Sequence, residues 1–353
     1  MLFIVANLFP FVALKYGDRF EQSVLASGAI ALTQVGMPEL GVLVLLTSVL
    51  FPLITLGGMV YLLLPLRVGI RPPGMALVWR IVRTLNPWSL IGVFMLGLLV
   101  SVVKLQDLAT IVPGIAFYAF IALLVLAAAA TASFDPSVLW PRAGPRPDLA
   151  PRGASAASLG FAVCHTCDVL VPKDARRCGR CHSEMHGLRR PNSITRTWAL
   201  LVTATLLLVP ANIYPVMTVI RFGAGEPNTI LSGVVHLIED GAWPLAALVF
   251  FASLVVPITK IAVLALLLIT VQHGSAWRVR DRTLLYRVTE AVGAWSMVDV
   301  FLVAILVALV RLDALATVIP GIGATFFGAA VVLTMLAAHA FDPRLVWDKA
   351  QAR

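Results

Sequence analysis

Two Cys-x2-Cys pairs, Cys164 with Cys167 and Cys178 with Cys181, stand ten residues apart and hold every cysteine in the chain. Such paired turns present four thiolates tetrahedrally to one Zn²⁺ at about 2.3 Å. Gly179 suits the tight second turn. The role expected of the metal is structural, because the segment has almost no core of its own and metal binding would supply its folding energy. A rubredoxin-like iron site or a redox dithiol uses the same spacing. His165, His182 and His186 lie close by, but four thiolates complete the site, which leaves these imidazoles solvated or behind the ligands.

Lys260 and Asp299 are the second chemical signal, since each is set inside a long apolar run. Ionisable groups at membrane depth are costly and face a partner or a wet cavity. Lys260 lies 11 residues from Val271 and Asp299 lies 8 from Ala291, about 16 and 12 Å along their helices, so the two can meet. They make either an ion pair that fixes helix register or a polar cavity. Ser253 and Pro257 share the Lys260 face, and Ser296 shares the Asp299 face. Pro257 removes a backbone donor and kinks its helix. Glu239 and Asp240 belong to an outer loop and are expected to be solvated.

These groups must be positioned by a membrane protein. With 59% apolar residues, 13% charged residues and a mean hydropathy of +0.92, the chain has more apolar surface than a soluble core of its length can hide. Long apolar runs cover 40–66, 88–103, 109–134, 197–219, 243–271, 291–310 and 315–341, and most reach the roughly 20 residues a bilayer core requires. Residues 1–14 read as a truncated first helix. They lack the basic start and small-residue cleavage site of a signal peptide. Eight spans result.

The spans fall into two sets of four because the chain repeats itself. Leu108-Ala109-Thr110-Ile111-Val112-Pro113-Gly114-Ile115 returns as Leu315-Ala316-Thr317-Val318-Ile319-Pro320-Gly321-Ile322, and Phe134-Asp135-Pro136 returns as Phe341-Asp342-Pro343, both 207 residues on. Upstream the offset is 205: Asn7-Leu8-Phe9-Pro10 answers Asn212-Ile213-Tyr214-Pro215, and Pro52 answers Pro257. The expected fold is an all-α polytopic membrane protein of two tandem four-helix transmembrane units with a small cytoplasmic zinc ribbon between them. An even number of spans per unit makes the repeat parallel. The divisions are a first unit over 1–140, a linker rich in Pro, Gly, Ala and Arg over 141–160, the ribbon over 161–190, a second unit over 191–347 and a tail over 348–353. Pro320 and Gly321, like Pro113 and Gly114, are expected to shape the start of a last span. The first half has Thr55 where the second has Lys260, and Gly92 where it has Asp299. Loss of both charges together is what an ion pair predicts.

Basic residues set the orientation, since Lys and Arg near span ends stay cytoplasmic. One side collects Arg67, Arg71, Arg80 and Arg83, then Arg278, Arg280, Arg282 and Arg287, the many Arg residues of the connector, and the C-terminal Arg344, Lys349 and Arg353. The other receives only Lys15, Arg19, Lys104, Arg221 and Arg311. Both termini and the connector are therefore placed in the cytoplasm. The net charge of +9 reflects topology first and anionic lipid second. No stacking or groove-reading motif accompanies it, so nucleic acid is not a partner. Nothing resembles a nucleophile with its base, a phosphate-binding glycine loop or a His-Glu-x-x-His helix, which argues against an enzyme.

The cysteine pairs, Pro210-Ala211-Asn212-Ile213-Tyr214-Pro215-Val216-Met217, Ile230-Leu231-Ser232-Gly233, Met297-Val298-Asp299-Val300-Phe301, Ile319-Pro320-Gly321 and Phe341-Asp342-Pro343 together resemble the paraquat-inducible protein A family, including its LetA-type members. That resemblance implies a bacterial inner-membrane protein of two four-helix units, each typically preceded by a zinc ribbon, working with an MCE-domain protein that forms a periplasmic lipid tunnel. For this chain it implies the membrane subunit that passes phospholipids between the inner membrane and such a tunnel. It also implies Cys164, Cys167, Cys178 and Cys181 as ligands of one structural Zn²⁺, and Lys260, Ser296 and Asp299, with Ser253 beside them, as polar groups of a cavity in the second unit. The first half departs from the pattern by lacking a ribbon and opening within a helix, and Thr55 and Gly92 leave it without the charged pair. No P-loop is present, so energy would come from a proton gradient or a partner. Two other functions fit the same residues. One is an autonomous proton-coupled transporter of an amphipathic solute that uses Lys260 and Asp299; the other is a membrane redox or scaffold protein built on the cysteines.

Overall fold

The computed structural model describes residues 1–16, 19–70, 72–105, 110–140, 159–164, 166–185, 192–221, 224–239, 241–275, 277–309 and 316–347. Most of the 141–160 linker, the 348–353 tail, His165, His186 and Asp240 lie outside them. The first half forms helices α1 (Leu2–Leu8), α2 (Ser27–Gln34), α3 (Pro38–Leu45), α4 (Phe51–Arg67), α5 (Met75–Leu85), α6 (Ile91–Leu105) and α7 (Ile115–Ser133), with strands β1 (Val12–Tyr16), β2 (Arg19–Ser23) and β3 (Thr110–Pro113). The connector adds a two-stranded sheet, β4 (Phe161–Val163) with β5 (Leu170–Pro172). The second half forms α8 (Ser193–Ile213), α9 (Ile230–Glu239), α10 (Trp243–Phe250), α11 (Val256–Gln272), α12 (Val279–Gly293), α13 (Val298–Leu309) and α14 (Ile322–Ala340), with β6 (Met217–Arg221), β7 (Ala224–Asn228) and β8 (Ala316–Pro320).

The chain is mostly helical, and seven helices among the described residues are long and apolar enough to cross a membrane: Pro38–Arg67, Met75–Val103, Ile115–Ser133, Ser193–Ile213, Trp243–Gln272, Val279–Leu309 and Ile322–Ala340. The opening run, expected to be part of a span throughout, is helical only as far as Leu8. Proline stops it. A residue before proline is pushed out of the helical region, and Phe9, before Pro10, is extended at φ −94°, ψ 159°.

The same prolines explain why an all-helical expectation is corrected by two small sheets. Pro113, Pro215 and Pro320 interrupt apolar runs read as continuous spans, and the β-branched stretches Thr110-Ile111-Val112, Thr218-Val219-Ile220 and Thr317-Val318-Ile319 favour strands. The sheets have orders β2-β1-β3 and β7-β6-β8, antiparallel throughout. Val12 pairs with Ser23 and Pro113, and Met217 pairs with Asn228 and Pro320. Each second-half residue is the repeat counterpart of the first-half one, so register recurs with the sequence.

Local helix geometry recurs too. A π-turn, Leu46–Leu50, joins α3 to α4, and another, Phe251–Val255, joins α10 to α11. Each stands just before its proline, Pro52 or Pro257. A proline leaves the carbonyl four residues earlier without its donor, and an i→i+5 turn lets the next N–H reach that acceptor. Helix interruption at Pro257 thus takes the form of a widened turn.

The basic loops of the sequence reading are partly helical. Arg80 and Arg83 ride on α5, and Arg280, Arg282 and Arg287 ride on α12. Arg282 is buried; its Nη2 donates to Ser275 O at 2.7 Å, while Nε and Nη1 meet no acceptor among the described residues.

By contacts the chain forms two compact units, one of Met1–Leu50, Leu90–Leu124 and Ser193–Arg353, the other of Phe51–Ser89 and Val125–Asn192. In the first, α13 is enclosed along nearly its whole length and packs on α2 and α6. Glycine permits that approach: a Cβ on Gly97 would sit 3.0 Å from Phe301 Cβ, and one on Gly28 3.1 Å from Ala304 O. In the second unit, Leu62, Trp79, Val82, Leu139 and Trp140 share an apolar cluster with the four cysteines.

Candidate functional site

The cysteine centre is built by two knuckles that the short sheet β4–β5 and its flanking turns bring together. All four Sγ atoms lie within 4.8 Å of one another and all four residues are buried. Cys164 and Cys181 are separated by 3.5 Å and Cys167 and Cys178 by 3.6 Å, sulfur to sulfur. Four thiolates at about 2.3 Å from a metal have edges of about 3.8 Å, so the donor set fits a metal ion. Backbone N–H groups of Thr166 and Arg180 point at Cys164 Sγ and Cys178 Sγ, each at 3.4 Å. Each knuckle turns over in the left-handed region one residue after its second cysteine, at Asp168 and His182, both with φ 55°. Gly179, expected to ease the second turn, has no positive φ.

Ser183 was not legible as part of this centre. Its Oγ lies 2.9 Å from Cys181 Sγ and 3.3 Å from Cys164 Sγ; its position two residues past the last cysteine is the only signal it left. Burial pushes the Cys164 thiol up, but the Ser183 hydroxyl and the N–H groups of Thr166 and Cys167 outweigh it and bring the pKa down to about 6. Burial holds Cys167 and Cys178 above the usual thiol range.

Helix α5 grips the knuckles by their backbone. Trp79 Nε1 donates to Thr166 O at 2.6 Å, Arg83 Nη1 to the same oxygen at 2.9 Å, and Arg80 Nη2 to Cys181 O at 3.1 Å. Arg83 also pairs with Asp168 at 3.2 Å, and the Arg180 guanidinium stands 5.1 Å from the Trp140 ring centroid. The spacing Trp79-Arg80-x2-Arg83 places these groups on adjoining faces of one helix, so Arg80 and Arg83, expected to serve topology, also hold the knuckles.

The intramembrane residues are placed in two cavities. Lys260 is 2% exposed and lines one of about 180 Å³ with Thr259, Thr289, Phe251, Val255 and Val288. A Cβ on Gly293 would lie 2.8 Å from Lys260 Nζ, so the missing side chain makes room for the ammonium. Asp299, also buried, lines another of about 50 Å³ with Val100, Asn228, Thr229, Gly233 and Phe327. The two charges face different spaces, and the ion pair their depths allowed is not the arrangement found. Ser253 and Ser296 are buried and turned onto their own helices, Ser253 Oγ donating to Val249 O at 2.6 Å and Ser296 Oγ to Gly293 O at 2.7 Å. Pro257 stands in the first turn of α11 after the π-turn. Pro320 closes β8, and Gly321 caps α14, its N–H donating to Val216 O at 2.8 Å. Gly321 is required by proximity, because a Cβ there would collide with Pro215 O, as one on Gly114 would with Pro10 O. Glu239 is paired with His236 at 3.4 Å on the surface, and His182 is exposed.

The family described as paraquat-inducible protein A matches residues 1–144 and 194–351. The chain belongs to the paraquat-inducible protein A family. Both matched stretches flank the cysteine pairs, so membership rests on the helical halves. The intermembrane transport protein PqiA of Escherichia coli strain K12 is 36% identical over 356 residues, covering 99% of this chain and 84% of that protein. The lipophilic envelope-spanning tunnel protein A of the same strain is 32% identical over 335 residues, 94% of this chain and 75% of the relative. A probable intermembrane transport protein of Haemophilus influenzae is 30% identical over 276 residues, 74% of this chain and 64% of the relative. No solved structure matches the chain. Family membership and the seven apolar helices make this paraquat-inducible protein A homologue a multi-pass membrane protein.

Proposed function

We propose that this chain is the inner-membrane subunit of an MCE-type intermembrane lipid transport system, passing phospholipids between the inner membrane and a periplasmic MCE-domain tunnel protein. The supporting observation is the coincidence of a whole-length match to a protein named for intermembrane transport with buried Lys260 and Asp299, each beside a cavity. Charged groups are retained at membrane depth where they meet cargo or a wet path.

The two halves act as parallel repeats of four spans, α1 answering the last turns of α8. Both termini and the connector lie in the cytoplasm, because the arginines gather there, and the β-sheets then face the periplasm, where the tunnel protein docks. The cysteine centre holds one Zn²⁺, which supplies folding energy to the 161–190 module; Cys164, Cys167, Cys178 and Cys181 bind it and the Ser183 hydroxyl stands beside Cys164 and Cys181. Lys260, Asp299, Ser296 and Ser253 belong to the polar path of the second unit.

The test is copurification from native membrane. An MCE-domain protein and phospholipid are expected to come with the full chain. Recovery of neither, from membranes in which a candidate tunnel protein is made, would overturn the proposal, and recovery of lipid-free protein that moves protons with a soluble solute would assign it to secondary transport instead.

A further inference from the structure

Threonines inside helices often turn their hydroxyl onto a carbonyl of the preceding turn, and those of this chain do so at Thr47, Thr55, Thr197, Thr205, Thr283 and Thr334. Thr259 and Thr289 are exceptions. Among the described residues neither hydroxyl meets a hydrogen-bond partner, and neither does Lys260 Nζ, although Lys260 is almost wholly buried. All three line the same cavity between α11 and α12. The ammonium of buried Lys260 and the hydroxyls of buried Thr289 and exposed Thr259 border one space without acceptors among the described residues, a donor set suited to an anion.

The walls of the cavity say what carries that anion. Phe251 and Val288 are about half exposed at its mouth, and Val255, Val256 and Val292 complete an apolar lining. Lys260 lies twelve residues from the end of α11 at Gln272, about 18 Å along the axis and below the headgroup layer. A phosphate reaching this depth past an apolar rim is one that trails acyl chains. The halves differ in the matching way: Lys260 with Gly293, which leaves space for Nζ, stands where the first half has Thr55 and Asn86, and Thr55 is buried with its hydroxyl bonded to Phe51 O.

We infer that the α11–α12 cavity binds the phosphate of a phospholipid headgroup that enters sideways from the bilayer, with Lys260, Thr259 and Thr289 as its ligands and the acyl chains lying along Phe251 and Val288. This rests on the lipid-transport reading and names the cargo chemistry and its point of entry. The first half carries no equivalent site at Thr55.

Native mass spectrometry of the full chain, stripped of lipid and titrated with phosphatidylglycerol or with diacylglycerol of the same acyl chains, tests it. Phosphatidylglycerol is expected to bind at least about tenfold more tightly than diacylglycerol, and Lys260→Met to remove that preference. Thr259→Val combined with Thr289→Val should weaken phosphatidylglycerol about fivefold while leaving diacylglycerol unchanged; this pair keeps the test open if Lys260→Met fails to fold. Thr55→Val should change nothing. Inorganic phosphate at the concentration that saturates with lipid should not displace it. Equal binding of the two lipids, undiminished phosphatidylglycerol binding in both Lys260→Met and the double threonine variant, or displacement by inorganic phosphate would each overturn the inference. If any of these occurs while the MCE-domain protein still copurifies with lipid, the transport reading stands without this site.

Discussion

Helix α11 and its first-half counterpart α4 are built on one plan and end with opposite chemistry. Both follow a π-turn, both carry a proline just after it, and both hold a serine in that turn that bonds back to a valine carbonyl, Ser48 to Val44 at 2.7 Å and Ser253 to Val249 at 2.6 Å. Two turns beyond the serine, α4 has a threonine closed onto its own backbone and α11 has a lysine facing a cavity. The two stretches share this framework, and only one of them carries the charge. A cationic pocket therefore needs more than this backbone; it needs the glycine across from it and an absence of internal acceptors.

Substitutions in the two helices and in the connector distinguish them. The largest effect is expected outside both helices: Cys164→Ser with Cys181→Ser should abolish metal binding by the connector, because two thiolates do not complete a tetrahedral site. Metal analysis of purified protein and protease sensitivity of the 161–190 segment report it, and full metal content in the double variant would sink the four-thiolate centre. Next comes the transplant Thr55→Lys. A charge buried without a counter-ion or a cavity costs about 3–5 kcal/mol, so abundance in the membrane should fall steeply, whereas Lys260→Thr should leave the protein in the membrane and stop lipid transfer. If Thr55→Lys were tolerated at normal thermal stability, the two helices would be more alike than their geometry shows.

Smaller effects refine the picture. Ser253→Ala and Ser48→Ala each remove one back-bond and should cost about 1 kcal/mol or less. Matched thermal midpoints with a transport defect only at Ser253 would place function in the second half; defects of equal size at both would spread it over the two. Last, Arg83→Ala removes the ion pair to Asp168, whose side chains are 42% and 56% exposed, and should change the unfolding free energy of the cysteine module by no more than about 1 kcal/mol, read by denaturant titration. A loss of the whole module would show that the grip on Thr166 O is the dominant contact.

What could be read beforehand follows from the range of the interactions involved. The cysteine centre was legible because ligand spacing is local, and the spans were legible because hydropathy sums over twenty residues. The sheets were not, because four- and five-residue strands are lost within apolar runs, and only Pro10, Pro113, Pro215 and Pro320 mark where helix gives way. Depth along a helix was readable for Lys260 and Asp299, but azimuth was not, so two residues that could have met face separate spaces. Ser183, Thr259, Thr289 and the Trp79, Arg80 and Arg83 contacts all depend on partners distant in sequence or on hydrogen bonds left unmade, neither of which a residue string records.

The widened turn before Pro257 has a mechanical consequence. A π-turn can in principle migrate along its helix, and each step would swing the side chains it passes by about 100°. Pro257 has no N–H to donate and its ring crowds the carbonyl four residues back in an ordinary α-turn, so the widened turn is pinned ahead of Lys260. The helix behaves as a jammed ratchet, and any passage of cargo past the ammonium must be accomplished by movement of the cargo or of neighbouring helices, with the lysine held at a constant bearing.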